Sequence, residues 1–414
     1  MTTLEIFKEI CKIPHCSYNA QALKTYLQEF AKRYDYEVEC DKAGNILCHK
    51  IGSNITLQSH YDMVCIGEYK EMKLYEKEIE GNKWLCAKDS TLGADNGIGI
   101  ALTLKMMAEG KRVDALFTAD EEVGLEGARA LELKVQTPYL LNIDSEDEGV
   151  VTLGCAGGVD VKVLIPITRV TKIGTSREVE FSGEEFLGGH SGVDIHLNIK
   201  NAIKELSFFL ECNFMSIEGG ERRNSIAKRA RAEVYISEGE EEVVVIKNSK
   251  AIITALKVFT HGVREYNSEL DIVETSINLA MIKTHKDFVE INLSLRSMDD
   301  EKLKALLKET RDYFEGMLEG SIVSDEGYYA PWKPVENEFV KLVVTANEKV
   351  FEKVTLGGIH AGLECGILGE KMPDLQMASI GPNIIYPHST REAVEIASVE
   401  RIEKVLMFLA ESLN

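Results

Sequence analysis

Hydrophobic and polar residues in the first part of the chain follow two spacings, one typical of helices and one of buried strands. Leu23, Tyr26, Leu27 and Phe30 recur at helical spacing and predict a helix over residues 20–33. The same reasoning predicts the other elements of this part, which are helices at 2–12, 96–109 and 128–133 and strands at 44–49, 54–59, 113–118 and 139–143. Strands that alternate with helices predict a parallel or mixed sheet covered on both faces, an α/β fold.

The pattern changes after a glycine-rich stretch at residues 154–158. Polar and apolar residues then alternate one by one, as in half-exposed strands. The predicted elements of this middle part are strands at 159–167, 178–181, 231–236, 272–282 and 288–295 and helices at 198–211, 247–258 and 300–318. They predict a compact α+β domain with an antiparallel sheet.

A second break, at residues 328–334, precedes the last part of the chain. This part contains a predicted helix at 337–352, a glycine-rich segment, a strand at 374–380 and a final helix at 399–412. It is short for an independent domain, so we expect it to return and complete the first one. The predicted division is therefore 1–157 and 331–414 for one domain, with 158–330 inserted as a second.

Composition narrows the classes of partner. The chain has 414 residues and a net charge of −21, which argues against binding to nucleic acid or to an anionic membrane and suits cations. It has no run of about 18 apolar residues and begins without a signal-peptide pattern, so we expect a cytoplasmic protein that does not span a membrane. Its nine cysteines contain no C-x-x-C pair and are expected to be reduced thiols. Cys65, Cys155 and Cys365 are expected to be small buried residues rather than ligands.

Histidines and acidic residues follow several of the predicted strands of the first domain. In an open α/β sheet, ligands bind at the carboxyl ends of the strands, so these side chains should meet at one edge. Asp95 differs, because it lies where a glycine-rich loop becomes a helix. The candidates are His60, Asp62, Asp95, Glu121, Glu122, Asp144 and His388.

Imidazole and carboxylate groups form a suitable ligand set for zinc. We assign His60 and Asp144 to one ion, and Glu122 and His388 to a second. Asp95 would bridge the two ions, one carboxylate oxygen to each.

Two further acids would then have roles beside the ions. Asp62 is two residues from His60 and would hold its imidazole in place. Glu121 would be free to act as the general base.

Each candidate also has an ordinary structural explanation. His388 alone is more often a surface or core histidine than a ligand. The acidic runs at 120–122 and 144–148 are typical of solvated loops or of helix N-termini. Their joint occurrence after separate strands is what favours a metal site.

Five motifs, read together, resemble those of the aminoacyl-histidine dipeptidase family, the peptidase D-type, carnosinase-like members of the co-catalytic zinc peptidases. The similarity runs nearly from end to end and keeps the order of the motifs. It implies a zinc-binding catalytic domain interrupted by a lid domain, a homodimer formed through the lids, and a cis peptide bond between Asp95 and Asn96. The motifs lie at 59–64, 92–97, 118–122, 144–146 and 387–389.

The resemblance also assigns roles in the middle domain. His190, in the motif at 188–196, would contact the substrate and the transition state, and Asn224 and Arg296 would bind the substrate. Without the resemblance, Arg296 would be taken for an ordinary surface ion pair. Gly362 would offer its backbone to the substrate.

Near Gly362, His360 and Glu364 have the i, i+4 spacing of rival metal ligands. We expect them instead to lie beside the ions or in the substrate pocket.

These observations together predict a metal-dependent dipeptidase that hydrolyses Xaa-His or broader dipeptides. It would use two divalent ions, zinc in the first place and manganese or cobalt as alternatives. An amide deacylase or a short-peptide aminopeptidase with the same metal site is an alternative. A catalytically inactive metal-binding scaffold is another, but it would leave Glu121 without a role.

Overall fold

The structure is a computed structural model that describes residues 1–211, 213–268 and 270–413. It divides into two compact units. Unit 1 consists of Met1–Gly154, Pro334–Gly358 and Leu363–Asn414, and unit 2 of Cys155–Lys333 and Ile359–Gly362. The segment 359–362, with His360 and Gly362, therefore belongs to unit 2, whereas the sequence division placed it in the first domain.

The helices and strands are named here in chain order. The helices are α1 (Thr3–Ile10), α2 (Gln21–Arg33), α3 (Ala94–Ala108), α4 (Glu126–Arg129), α5 (Ala202–Phe209), α6 (Ser249–Val258), α7 (Asp300–Met317), α8 (Glu338–Glu348), α9 (Glu364–Lys371) and α10 (Ile396–Leu413). The strands of the first part are β1 (Glu37–Cys40), β2 (Ile46–His49), β3 (Ile55–His60), β4 (Leu74–Ile79), β5 (Asn82–Ala87), β6 (Asp114–Thr118), β7 (Tyr139–Asn142) and β8 (Val150–Cys155).

The remaining strands are β9 (Gly157–Pro166), β10 (Arg169–Phe181), β11 (Phe214–Gly219), β12 (Ala230–Ile246), β13 (Gly262–Asn267), β14 (Ile272–Thr284), β15 (Phe288–Ser297), β16 (Ile322–Tyr329), β17 (Thr355–Ile359), β18 (Gln376–Ser379), β19 (Ile384–Ile385) and β20 (Ala393–Glu395). Two single-turn 3₁₀ helices lie at Tyr69–Glu71 and Ile195–Leu197.

The main sheet of unit 1 has eight strands in the order β1-β2-β6-β3-β7-β18-β8-β17. Its centre is parallel, because β3 pairs in parallel with β6 and β7, and β18 with β7. The strands β1, β2 and β8 join antiparallel. The sheet is therefore mixed, as predicted, and β18 shows that the last part of the chain completes it.

The core of unit 1 is formed by apolar side chains from helices and strands distant in sequence. Phe7 of α1, Leu27 of α2, Phe117 of β6 and Phe339 of α8 are all fully buried in one cluster. The helix α3 is apolar nearly all round, and 12 of its residues are buried, which fits a helix that lies inside the unit rather than on its surface.

Unit 1 also contains a second, antiparallel sheet in the order β19-β20-β5-β4, which was not predicted. Its outer strand β4 is largely exposed, with the sequence LYEKEI. Charged residues on both faces give no alternation of apolar and polar positions, so the pattern carried no strand signal.

Unit 2 is built on an antiparallel sheet in the order β10-β12-β11-β14-β15-β9-β16, with β13 paired to β14. Helices α5, α6 and α7 pack against it around buried Phe214, Leu293 and Phe314. This is the α+β arrangement that the sequence predicts. The strand β12 extends ten residues past the predicted end at 236, because an exposed acidic stretch at 237–242 resembles a loop in composition.

The expectation that all cysteines are reduced thiols is wrong for one pair, because Cys16 and Cys65 form a disulfide. The turn around Cys16 is held against the chain that follows β3, where the Met63 N–H donates to the His15 carbonyl at 3.0 Å. This proximity spans 49 residues and has no signature in cysteine spacing. Cys155 and Cys365 are buried, as expected, and Cys212 lies outside the described residues.

Within the described ranges, no helix combines the length and the apolar character that crossing a bilayer requires.

Candidate functional site

The predicted ligands of unit 1 meet because their strands are neighbours. His60 ends β3, Glu121 and Glu122 follow β6, and Asp144 follows β7. These three strands are adjacent and parallel, so their carboxyl ends lie at one edge of the sheet. This is the edge at which open α/β sheets bind ligands.

Asp95 stands between two histidines. Its Oδ1 lies 3.0 Å from Nε2 of His60 and its Oδ2 lies 3.1 Å from Nε2 of His388. The Asp95–Asn96 peptide bond is cis, as the resemblance implies. Each carboxylate oxygen of Asp95 thus faces a different side of the cluster.

Two overlapping groups of side chains have donor atoms close enough to hold a cation. His60, Asp95 and Asp144 form one group, and Asp95, Glu122 and His388 form the other; within each group the donor atoms all lie within 4.8 Å of one another. These are the two sets that the sequence assigns, and they share Asp95. A third group joins His60, Glu121 and Glu122.

The residues fit a divalent cation in their chemistry. Nδ1 of His60 lies 3.0 Å from the Asp62 carbonyl oxygen, so Nδ1 carries a proton. Nε2 faces Asp95 and Asp144 at 3.0 and 3.4 Å, and with a cation in place of the Nε2 proton the ring would have the arrangement of a metal-ligating histidine. The buried Oε1 of Glu122 has no hydrogen-bond partner among the described residues.

The charges of the cluster perturb one another strongly. Burial lowers the pKa of His60, but Asp144, Asp62 and Asp95 outweigh burial and hold that pKa well above its usual range. Asp95 and Glu122 likewise overcome burial at His388 and raise its pKa to about 11. Burial, followed by the charge of Asp95, raises the pKa of Glu122 to about 7. Carboxylates crowded in this way favour a neutralising cation.

Asp62 lies beside His60 and has further partners. Its Oδ1 is 3.5 Å from Nδ1 of His60, and its main-chain oxygen is 3.0 Å from the same nitrogen. The carboxylate also accepts from the backbone N–H groups of Glu121 and Glu122 at 2.9 and 3.3 Å, and from the Ser17 hydroxyl at 2.7 Å. Asp62 therefore positions the segment that carries the two glutamates, while its main chain orients the imidazole.

Glu121 differs from the other acids of the cluster. Burial raises the pKa of its carboxyl well above the usual range, and the charge of His60 opposes this rise. Among the described residues, no side chain forms a hydrogen bond to this carboxylate. A carboxyl group that has a raised pKa and no side-chain hydrogen bond suits proton transfer near neutral pH.

Three polar contacts around the cluster were not predicted. The Asn96 amide donates to Oδ1 of Asp144. Oε2 of Glu364 accepts from Nε2 of Gln58 and from the Thr118 hydroxyl, both at 2.6 Å. Glu364 is in none of the groups of described residues that could hold a cation. These contacts join residues up to 306 positions apart, so no local pattern indicated them.

In unit 2, the structure places His190 next to Asn224. The Ser191 N–H donates to the Asn224 carbonyl at 2.8 Å, and Nδ1 of His190 accepts from the N–H groups of Gly192 and Val193 at 3.3 and 3.1 Å. Because Nδ1 accepts, a neutral His190 carries its proton on Nε2 and can donate from there.

Arg296 of unit 2 is buried, with 7% of its surface exposed. Its Nη1 donates to the Tyr329 hydroxyl at 2.9 Å, and its Nε has no partner in the described chain. No carboxylate of the described residues forms an ion pair with it, so the alternative of a surface ion pair is wrong. A buried guanidinium without an anion is an unusual state in a folded protein.

Gly362 and His360 lie in the same neighbourhood of unit 2. A Cβ atom at Gly362 would come within 2.8 Å of the Tyr329 ring, so only glycine fits there. Nε2 of His360 lies 2.7 Å from the hydroxyl of Ser276, which pairs with Arg296 across β14 and β15. Burial, followed by the charge of Arg296, lowers the pKa of His360 to about 3. Tyr329 and Ser276 were not singled out from the sequence.

Comparison with known proteins identifies relatives of the whole chain. No family model matches the chain. It is 32% identical to the cytosol non-specific dipeptidase of Escherichia coli K12 over 95% of this chain and 94% of that protein.

Solved structures extend the similarity. Aminoacylhistidine dipeptidase from Vibrio alginolyticus matches with a TM-score of 0.80 and 30% identity, over 99% of this chain and 96% of that chain. Aminopeptidase PepT from Bacillus cereus shares the fold, with a TM-score of 0.64 and 16% identity over 99% and 98% of the two chains. By its identity to the first relative along nearly its whole length, the chain belongs to the aminoacyl-histidine dipeptidase family of M20 metallopeptidases.

Proposed function

We propose that this protein is a metal-dependent dipeptidase that hydrolyses short peptides with a free carboxylate. The observation that carries the proposal is that Asp95 belongs to two groups of side chains that could each hold a cation. Glu121 lies close to these side chains but belongs to neither of the two groups that contain Asp95. The names of the two similar dipeptidases support the same substrate class.

The two cations would be held by His60 and Asp144 on one side and by Glu122 and His388 on the other, with Asp95 between them. Zinc suits this set of imidazoles and carboxylates, and manganese or cobalt are the alternatives. Bound divalent cations supply Lewis acidity towards a carbonyl group and lower the pKa of water.

Glu121 acts as the general base in this proposal. Its carboxylate takes a proton from the attacking water and passes it to the amine that leaves when the peptide bond breaks. Asp62 fixes the backbone of Glu121 through the N–H bond at 2.9 Å. The general base is thereby held by a group that is not itself a ligand.

The unit 2 residues bind the rest of the substrate. His190 donates from Nε2 to the oxygen that becomes negative in the transition state. Arg296 takes the free carboxylate in two parallel hydrogen bonds, and Asn224 and the backbone at Gly362 complete the contacts. A carboxylate would provide the missing partner of the buried guanidinium, which supports this assignment.

We also propose a cytoplasmic homodimer that associates through unit 2. Large apolar side chains of this unit that are more than half exposed include Leu187, Leu197, Phe208 and Phe209, and exposed apolar surface is what a subunit contact would cover. The relative from Escherichia coli is a cytosol protein by name, which supports the location.

The test is a panel of dipeptides, tripeptides, amidated dipeptides and N-acyl amino acids. The protein is first treated with chelator and then assayed with zinc, manganese or cobalt restored one at a time. We expect hydrolysis of dipeptides only after a metal is restored, and weak hydrolysis of amidated dipeptides. Activity on N-acyl amino acids with none on dipeptides would refute the proposal, as would metal-independent hydrolysis.

A further inference from the structure

The loop that leads into Asp95 is held by a single distant carboxylate. Glu392 lies almost 300 residues away in sequence and is 2% exposed. Its Oε2 accepts from the N–H groups of Leu92 and Gly93 at 2.8 and 3.0 Å, and its Oε1 from those of Ala94 and Asp95 at 2.7 and 3.3 Å. Four consecutive backbone donors thus converge on one side chain.

The backbone geometry of this loop explains why the four N–H groups point the same way. Gly93 has φ 67° and ψ 30°, the left-handed conformation, and a Cβ atom there would come within 2.8 Å of the Met63 sulfur. A left-handed residue within such a run turns successive N–H groups into one concave anion-binding surface. Helix α3 begins here without a side-chain cap of its own, so Glu392 satisfies N–H groups that the helix leaves unpaired.

The same short segment carries His388. His388 lies four positions before Glu392, and the turn between them is closed by a hydrogen bond from the Glu392 N–H to the Ser389 carbonyl at 3.1 Å. His388 faces one oxygen of Asp95, while Glu392 holds the backbone of Asp95. The segment therefore determines both sides of the contact between Asp95 and His388.

We propose that Glu392 is a positioning residue of the metal centre, which fixes Asp95 against its two histidines through the backbone of residues 92–95. The inference rests on the proposed function for the role of Asp95 as a shared ligand. Among the described residues, Glu392 is in none of the groups that could hold a cation, and it reaches Asp95 through the backbone N–H alone. This role requires both carboxylate oxygens of Glu392, because each oxygen accepts from a different pair of N–H groups.

The informative variant is Glu392→Gln, which has nearly the same shape. Its single amide oxygen can accept from one pair of N–H groups, and its NH₂ group then opposes the other pair. Glu392→Asp keeps two acceptor oxygens on a shorter side chain. Glu395→Gln is the matched control, because Glu395 is 3% exposed in the same segment but bonds Arg401 and Asn383 at 2.8 and 2.7 Å.

Two measurements on the full-length chain test the inference without an activity assay. Zinc affinity is measured by competition with a chromophoric chelator. Hydrogen exchange of the residue 92–95 amides is followed in the metal-free protein. In Glu392→Gln we expect zinc affinity to fall about 10- to 100-fold, as for other groups that orient ligands, with faster exchange confined to these amides. Glu392→Asp should recover part of the zinc affinity and part of the slow amide exchange, and Glu395→Gln should resemble wild type in both measurements.

Unchanged zinc affinity in Glu392→Gln would overturn the inference, and so would an equal loss in Glu395→Gln, which would indicate a general effect of packing. Should Glu392→Gln fail to fold, Glu392→Asp decides, since wild-type affinity together with altered exchange would refute the link to the metal. A wild-type protein that binds two zinc ions but hydrolyses no dipeptide would refute the proposed function alone.

Discussion

Replacing Arg296 by methionine should weaken substrate binding and leave the protein as stable as before, or more so. Methionine has a similar length and no charge. The guanidinium is buried, with one hydrogen bond to Tyr329 at 2.9 Å and no ion pair among the described residues. Its charge therefore gains an ion-pair partner only when a carboxylate binds.

The expected sizes follow from these contacts. Hydrogen bonds to charged groups contribute about 1.5–3 kcal/mol each, so losing two gives a fall of about 10²–10⁴-fold in kcat/KM for dipeptides. Replacing buried charge with apolar atoms stabilises by about 1–4 kcal/mol, and losing the Tyr329 bond costs about 0.5–1.5 kcal/mol. The net change is about −0.5 to +3.5 kcal/mol, so at about 2–4 °C per kcal/mol for a unit of this size the transition of unit 2 should change by between about −2 and +14 °C.

The assay compares a dipeptide with its C-terminal amide, and calorimetry follows unfolding in the metal-loaded protein. The amide lacks the negative charge and can accept only one of the two bonds, so its kcat/KM should fall less than that of the dipeptide. Arg311→Met serves as the control, because Arg311 pairs with Asp325 at 2.6 Å and should affect neither substrate. Equal losses for both substrates, or a transition several degrees lower, would show that Arg296 has a structural role instead.

Three further variants test other parts of the molecule. Glu121→Gln should lower kcat by about 10²–10⁴-fold with two ions still bound in a metal titration; near-normal turnover would exclude it as the base. Asp95→Ala should reduce the bound metal from two ions to one or none, since both groups use Asp95, and elemental analysis showing two ions would contradict its bridging role. Burial lowers the pKa of His261 to about 4, and Nδ1 of its neutral ring accepts from the Leu279 N–H. Neutral His261 therefore stabilises the folded state above about pH 6.5, and this contribution to the free energy of unfolding is lost as the pH falls towards 4. Relative to His261→Asn, wild type should therefore lose about 2 kcal/mol between pH 7 and 5 in urea unfolding; parallel curves would contradict this assignment.

The parts of the fold that the sequence predicted are those with strong local patterns. Residues 113–118 and 139–143 are apolar runs bounded by polar turns, and they form β6 and β7 at the centre of the sheet. The hairpin of β4 and β5 was missed, because its charged residues carry no period. The disulfide of Cys16 with Cys65 was missed for a different reason, since it depends on where two loops pack.

The candidate site likewise contains residues that the sequence predicted and residues that it did not. His60, Glu122 and Asp144 follow buried strands, so the general rule for α/β sheets was enough to bring them together. The carboxylate of Glu392 and the hydroxyl of Tyr329 act through contacts with backbone and side chains that are remote in sequence. Such contacts are set by tertiary packing and leave no spacing pattern in a single sequence.

The order of strands in the main sheet also has a consequence for synthesis of the protein on the ribosome. The strand β18 lies between β7 and β8, but roughly 230 residues separate it from β7 in the chain. At about 5–20 residues per second, β7 and β8 would wait roughly 10–50 s for the strand that joins them, with open edges that favour pairing with other chains. Nearly all of unit 2 is made in this interval as one continuous stretch and can fold first. His388 emerges later still, so the complete cation-binding cluster exists only when synthesis is almost finished.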